Sequence, residues 1–357
     1  MDNLTISFFF FFFFCSSVVH GLLRFNGGSG EFKILQIADM HYADGKTTPC
    51  EDVFPDQMPW CSDLNTTAFV ARVILAENPD LLVFTGDNIY GPDATNAAGS
   101  LDAALAPAIA SGIPWAAVLG NHDQESTLTR QGVMQHIVGM ENTVSLLNPP
   151  DGADSIDGFG TYNLEVYGVD GTNFSDKSIL NLYFVDSGDY STVPIIPGYG
   201  WIKPSQQQWY KNKAAQLKSK YGAAPGVAYF HIPLPEYAKV NPSNIVGVKQ
   251  EGISSPVYNS GFFSTLAATG DVKAVFVGHD HLNDFCGQLT GINLCYAGGF
   301  GYHAYGKAGW SRRARVVSVS LGKTDAGTWA TVKSIRTWKR LDDDNLTAID
   351  DQILWSP

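Results

Sequence analysis

Seven short, nearly continuous apolar runs punctuate the chain, at 32–38 (FKILQIA), 81–85 (LLVFT), 115–119 (WAAVL), 180–186 (LNLYFVD), 226–230 (GVAYF), 272–277 (VKAVFV) and 314–321 (ARVVSVSL). Runs of this length, rich in Val, Leu and Phe, predict strands buried on both faces. Between them apolar residues recur with helical spacing over 66–78, 100–111, 126–139 and 205–221, which predicts intervening helices. The alternation reads as an α/β domain with covered sheets. No internal repeat and no linker divides the chain. The Gly/Pro/Asp-rich piece 148–160 reads as a surface loop, and KRLDDDNLTAIDDQ near the end as a solvated acidic tail.

The first residues, MDNLTISFFFFFFFCSSVVHGLL, form an apolar run of signal-peptide length followed by small residues. A signal over 1–22, cleaved between Ser16 and Leu22, is expected, although Asp2 stands where a basic residue is usual. Its removal takes Cys15 away and leaves Cys50, Cys61, Cys286 and Cys295. Four cysteines in short loops suit two local disulfides, Cys50–Cys61 and Cys286–Cys295, whereas crossed or nested pairings require distant loops to meet. The CxxC-like spacing of a zinc site is absent. Asn65, Asn173 and Asn345 each open an Asn-x-Ser/Thr triplet, the acceptor pattern for N-glycosylation. Together these features predict a secreted chain, extracellular or in the cell wall, with the vacuole as a second destination and no transmembrane anchor after processing. A formal charge of -12 and a pI near 5.0 argue against a protein that works by neutralising phosphates along a nucleic acid.

The candidate chemistry lies where the predicted strands end. Asp39 and His41 follow the first strand, Asp87 and Tyr90 the second, Asn121, His122 and Asp123 the third, His231 the fifth, and His279 and His281 the sixth. Each alone has a plain structural explanation, as helix cap, turn residue or satisfied core histidine. Yet five of the eight histidines fall in these segments, and the carboxyl ends of strands are where open α/β sheets gather ligand sites. His279 and His281, two apart on an extended segment, can turn toward one point. The Gly-rich stretch 297–310, which contains His303, reads as a loop on the substrate side, and His136 as structural within its helix.

The ordered set Asp-x-His, Gly-Asp-x-x-Tyr, Gly-Asn-His-Asp, a lone His after a strand and Gly-His-x-His resembles the calcineurin-like metallophosphoesterases. Tyr90, ADMHYADG and GHDHLNDFCG are similar to a divergent branch of small plant-type purple acid phosphatases. The resemblance spans about 32–340, leaving 341–357 as a tail, and implies a four-layer sandwich of two mixed β-sheets flanked by helices. It further implies two metal ions: iron at a first site (Asp39, Tyr90, His281) and zinc, manganese or iron at a second (Asn121, His231, His279), with Asp87 bridging. The implied activity is hydrolysis of small phosphomonoesters by a metal-bound hydroxide, with His122 as acid or transition-state stabiliser and Asp123 holding its other nitrogen. His122 and His303 would contact substrate. Purple acid phosphatases carry Gly where His41 stands, and relatives that ligate through this histidine lack the tyrosine. This chain has both residues, which compete for similar space. That leaves open a metal-binding relative with weak or no turnover; and because metal motifs report the reaction centre and say little about the leaving group, a phosphodiesterase or nucleotide hydrolase on the same scaffold is a further alternative. The protein Ser/Thr phosphatases are less similar, because GDNIYG lacks their arginine.

Overall fold

A computed structural model describes residues 22–149 and 155–357. The signal read over 1–22 falls outside it except for Leu22, as do residues 150–154 of the loop read at 148–160.

Two six-stranded mixed sheets face each other. The first has the order β12-β11-β10-β1-β2-β3, built from β1 (Glu31–Ile37), β2 (Leu81–Thr85), β3 (Trp115–Val118), β10 (Arg313–Lys323), β11 (Trp329–Leu341) and β12 (Ala348–Trp355). The second has the order β4-β5-β6-β7-β9-β8, from β4 (Tyr162–Tyr167), β5 (Ser178–Phe184), β6 (Gly226–Tyr229), β7 (Val272–Val277), β8 (Cys286–Leu289) and β9 (Ile292–Tyr296). The helices are α1 (Asp63–Glu77), α2 (Ala97–Ser111), α3 (Arg130–Val138), α4 (Pro204–Tyr221) and α5 (Phe262–Thr269).

The period-2 geometry of a strand decides which layer each residue joins. In the second sheet Leu180, Leu182, Val227, Tyr229, Ala274 and Phe276 point into the core shared with the first sheet. Their neighbours Tyr183, Ala228, Phe230, Val275 and Val277 point the other way, onto Tyr210 of α4 and Phe262 and Leu266 of α5. On the first sheet α1, α2 and α3 bury Phe69, Leu101 and Ile137. A fully buried Leu or Phe contributes roughly 1.5–3 kcal/mol, so these faces dominate the stabilisation.

Three expectations change. Residues 341–357 are not a tail: β12 pairs antiparallel with β11. Its aspartates are answered across the ladder, Asp350 by Lys339 at 2.5 Å and Asp351 by Arg336 at 2.6 Å, so an acidic segment can end a sheet. The fold also begins before residue 32, because Phe25 is buried and Arg24 bridges Tyr167. Strands β4, β8, β9 and β11 and helix α5 add to the predicted set.

Strands β1, β2 and β3 are mutually parallel, as are β5, β6, β7 and β9. Parallel pairing aligns carboxyl ends, so every segment with candidate chemistry emerges at one edge of the sandwich. Gln36 ties the two sheets there, its amide donating to Thr85 Oγ1 at 3.0 Å and to the Val277 carbonyl at 3.3 Å.

Candidate metal centre

The chain turns sharply where the strands end. Asp39, His41, Asp87 and His279 all adopt positive φ, between 46° and 79°. Non-glycine residues take this conformation rarely, and such backbone strain concentrates at functional sites. Gly120 is required for a different reason: a Cβ there would lie 2.1 Å from Asp87 Oδ1. The carboxylate is thereby packed against backbone, and it accepts the His122 N–H at 2.8 Å.

These turns assemble two groups of three ligand-type side chains, Asp39–His41–His281 and Asp87–His231–His279, each with its donor atoms within 4.8 Å of one another and all six residues buried. The groups adjoin, since His41 Nε2 lies 3.4 Å from Asp87 Oδ2 and His231 Nε2 lies 3.1 Å from the same oxygen. Backbone contacts aim the rings. His231 Nδ1 donates to the Thr85 carbonyl at 2.8 Å, and His281 Nδ1 to the Tyr305 carbonyl at 2.9 Å. In each case Nε2 is left facing the carboxylates, the arrangement in which an outer hydrogen bond fixes the tautomer of a ligating imidazole. Asp39 is aimed by the His279 N–H, 2.9 Å from Oδ1.

The donor set fits cations. Buried polar atoms are almost always hydrogen-bonded, yet His41 Nε2, His279 Nε2 and Asn121 Oδ1 have no partner. Burial holds His41 neutral, its pKa falling to about 4, and burial with the His231 charge takes His279 to about 3. Neutral imidazole is the form that ligates. His231 goes the other way: burial opposes its charge, but Asp87 and Asp39 prevail and raise it to about 9. Burial would also raise Asp87, but His231 and His41 hold it well below the usual carboxylate range. In this ring of groups a proton on His231 occupies the place a cation would take.

The remaining predicted residues divide. Tyr90 does not join a triad; its ring stacks on His41 with centroids 5.3 Å apart and planes at 11°. Asn121 joins neither triad; its amide donates to Tyr190 Oη at 3.3 Å, and its buried oxygen keeps no hydrogen-bond partner. His122 stands at the rim, with its Nδ1 against Glu125. Asp123, expected to hold His122, instead takes the backbone N–H groups of Asn88 (2.9 Å), Ile89 (3.1 Å) and Gly120 (2.7 Å). It clamps the second strand-end turn to the third, and burial together with the Asp87 charge raises it to about 6. The reason is local: the turn 121–125 folds back so that Glu125, three residues on, reaches the ring. His303 lines the cavity, but its nitrogens are spent on the Pro49 carbonyl at 2.8 Å and Asp93 at 3.0 Å. It props Tyr90, ring to ring at 5.7 Å, and has no free atom for substrate. Asp280 points away from the triads, accepting from Tyr296 Oη at 2.6 Å and from Ser254 N.

A cavity of about 210 Å³ opens over both triads and adds Glu51, Tyr199, Ser254 and Tyr305 to the expected lining. None of these four carried a motif, and tertiary contact alone brings them in. A larger cavity of about 450 Å³ lies at the opposite ends of β5, β6 and β7, lined by Asn181, Asp271 and Trp355, and holds no comparable ligand group. Disulfides Cys50–Cys61 and Cys286–Cys295 are both formed. The first closes the loop bearing Glu51; the second staples β8 to β9.

Residues 32–283 match the family model described as calcineurin-like phosphoesterase. A protein of Arabidopsis thaliana named probable inactive purple acid phosphatase 29 is 62% identical over 94% of this chain and 88% of its own length. Probable inactive purple acid phosphatase 14 of the same plant is 53% identical over 94% and 86%. The crystal structure of a dimetal phosphatase from Danio rerio superposes with a TM-score of 0.56 at 16% identity, covering 91% of this chain and 99% of that one, a likeness of fold. Strand order, the paired triads and these matches lead to one conclusion: the chain belongs to the calcineurin-like phosphoesterase family, beside the purple acid phosphatase relatives of Arabidopsis.

Proposed function

We propose that the protein is a secreted, dinuclear metal-dependent phosphatase acting on small phosphomonoesters. The observation that carries this reading is the pair of adjoining buried triads, joined where His41 of one faces Asp87 of the other at 3.4 Å, with ligand atoms left unpartnered toward one open cavity. Asp39, His41 and His281 would hold one ion, Asn121, His231 and His279 the other, and Asp87 both. Cations held there would supply charge against the phosphoryl oxygens and acidify the attacking water. His122, whose Nδ1 meets Glu125, would hold a proton against the leaving oxygen. Tyr90, stacked on His41, walls the cavity. With imidazole in place of phenolate the first site still suits iron, and zinc, manganese or iron suits the second. Exposed Asn65, Asn173 and Asn345 and the two disulfides favour an oxidising, glycosylating route.

A second reading, a metal binder with little turnover, draws on the His41–Tyr90 stack and on the names of the Arabidopsis relatives. Turnover of an aryl phosphate by the metal-loaded chain separates the two. The phosphatase reading expects turnover that His122→Ala abolishes while both metals stay bound; two bound metals with no turnover by the native chain would overturn it.

A further inference from the structure

Among the residues lining the cavity over the triads there is no lysine or arginine. The nearby cations stand behind the wall. Arg312, which feels the charge of Glu51, spends its donors on the carbonyls of Glu51, Ala304 and Tyr305, and Lys307 donates to Gln250 at 3.0 Å. The wall is instead acidic and aromatic. Tyr305 lies flat on His281, centroids 3.8 Å apart, and remains 38% exposed. Tyr199 meets His279 edge-on at 4.5 Å, and Tyr90 lies on His41. The charges of Asp93, Glu125 and Glu51 all reach the Tyr90 phenol. Glu51 is the telling residue. Its backbone is pinned by Tyr302 at 2.8 Å, by Arg312 at 2.9 Å and by the adjoining Cys50–Cys61 disulfide, while its exposed carboxylate forms no hydrogen bond or ion pair among the described residues.

Resting on the phosphatase reading, we infer that this mouth selects esters by the charge of the leaving group. It takes phosphoryl groups on uncharged or cationic aromatic alcohols and turns away polyphosphates, with Glu51 the specificity-determining residue. The bound cations can offset one phosphoryl group against Asp39 and Asp87. Further negative charge on the ligand would meet Glu51 within a Debye length of about 8–10 Å, where exposed charges still interact. The tyrosine rings offer an uncharged leaving group stacking surface in return.

The test is equilibrium binding to the metal-loaded chain, by calorimetry, of two non-hydrolysable probes, benzylphosphonate and methylenediphosphonate, at low and high salt. Binding is read directly, so an inactive chain does not obscure the result. We expect the aryl probe to bind roughly tenfold tighter at low salt, the gap narrowing at high salt. Glu51→Lys should reverse the order, and Glu51→Gln should fall between. Equal or tighter binding of the diphosphonate by the native chain would overturn the inference, as would a preference that Glu51→Lys leaves unchanged. Failure of both probes to bind metal-loaded protein would remove the phosphatase reading itself, and this inference with it.

Discussion

The loop after β7 enters two buried polar clusters built on opposite terms. At its start, His279 and His281 join Asp39, His41, Asp87 and His231 with ring nitrogens left unpartnered. Shortly after, Asp284 receives Arg313 at 2.5 Å, Lys339 at 2.7 Å and the Val248 N–H at 2.7 Å. The Asp284 carbonyl receives Arg315 at 2.6 Å, and Lys339 continues to Asp350 at 2.5 Å. In this second cluster only Arg313 Nε lacks a partner. Both clusters bury charge, and burial alone therefore does not mark function. The difference lies in completion: the Asp284 cluster is closed by the protein's own groups and anchors the loop, whereas the histidine cluster is aimed and left open.

The largest expected effect breaks the open cluster where its two triads adjoin. Asp87→Asn removes the carboxylate of the second triad that also faces His41 of the first, and activity on an aryl phosphate should fall at least about a thousandfold with metal content dropping toward zero, measured by steady-state kinetics and elemental analysis. Retention of two metals would put the shared role of Asp87 elsewhere.

Next is the closed cluster. Asp284→Ala leaves buried cations without an anion and should cost about 3–5 kcal/mol in denaturant unfolding, while the protein that remains folded keeps its metals. Loss of metal without loss of stability would erase the distinction between the clusters.

Within the open cluster His41 and Tyr90 can be told apart. His41→Ala should lose one metal, whereas Tyr90→Phe should retain both, by elemental analysis at matched free metal. The reverse pattern would restore the phenolate ligand that the resemblance implied.

The smallest effect is one of pH on metal-stripped protein. The folded pKa of His231 is raised, to about 9, so its charge contributes stability that is full below about 6.5 and lost as pH rises through 9. Melting temperature should therefore decline over that window when metal-free and stay flatter when metal occupies the place of the proton.

Much of the site was legible because buried parallel strands read as apolar runs and the residues that end them stand in short, punctuated motifs. The ligand types of both triads are in those motifs, His41 included. What could not be read depends on contacts across the fold. Asp123 and Glu125 both follow His122, and only the turn decides that Asp123 clamps backbone while Glu125 meets the ring. His303 resembles a site residue until Pro49 and Asp93 claim its nitrogens. Strand β12 hid behind its aspartates, whose partners Lys339 and Arg336 sit on the neighbouring strand β11. The hairpin β8–β9 is short and broken by Gly287 and Gly291, so no run of apolar residues announces it.

Whether the open cluster holds two cations is read by elemental analysis of the folded native chain beside its Asp87→Asn variant. About two transition-metal ions per native chain are expected, within the ligand capacity of paired three-residue groups, and none retained by the variant. A folded native chain that takes up no metal at saturating supply would contradict this expectation.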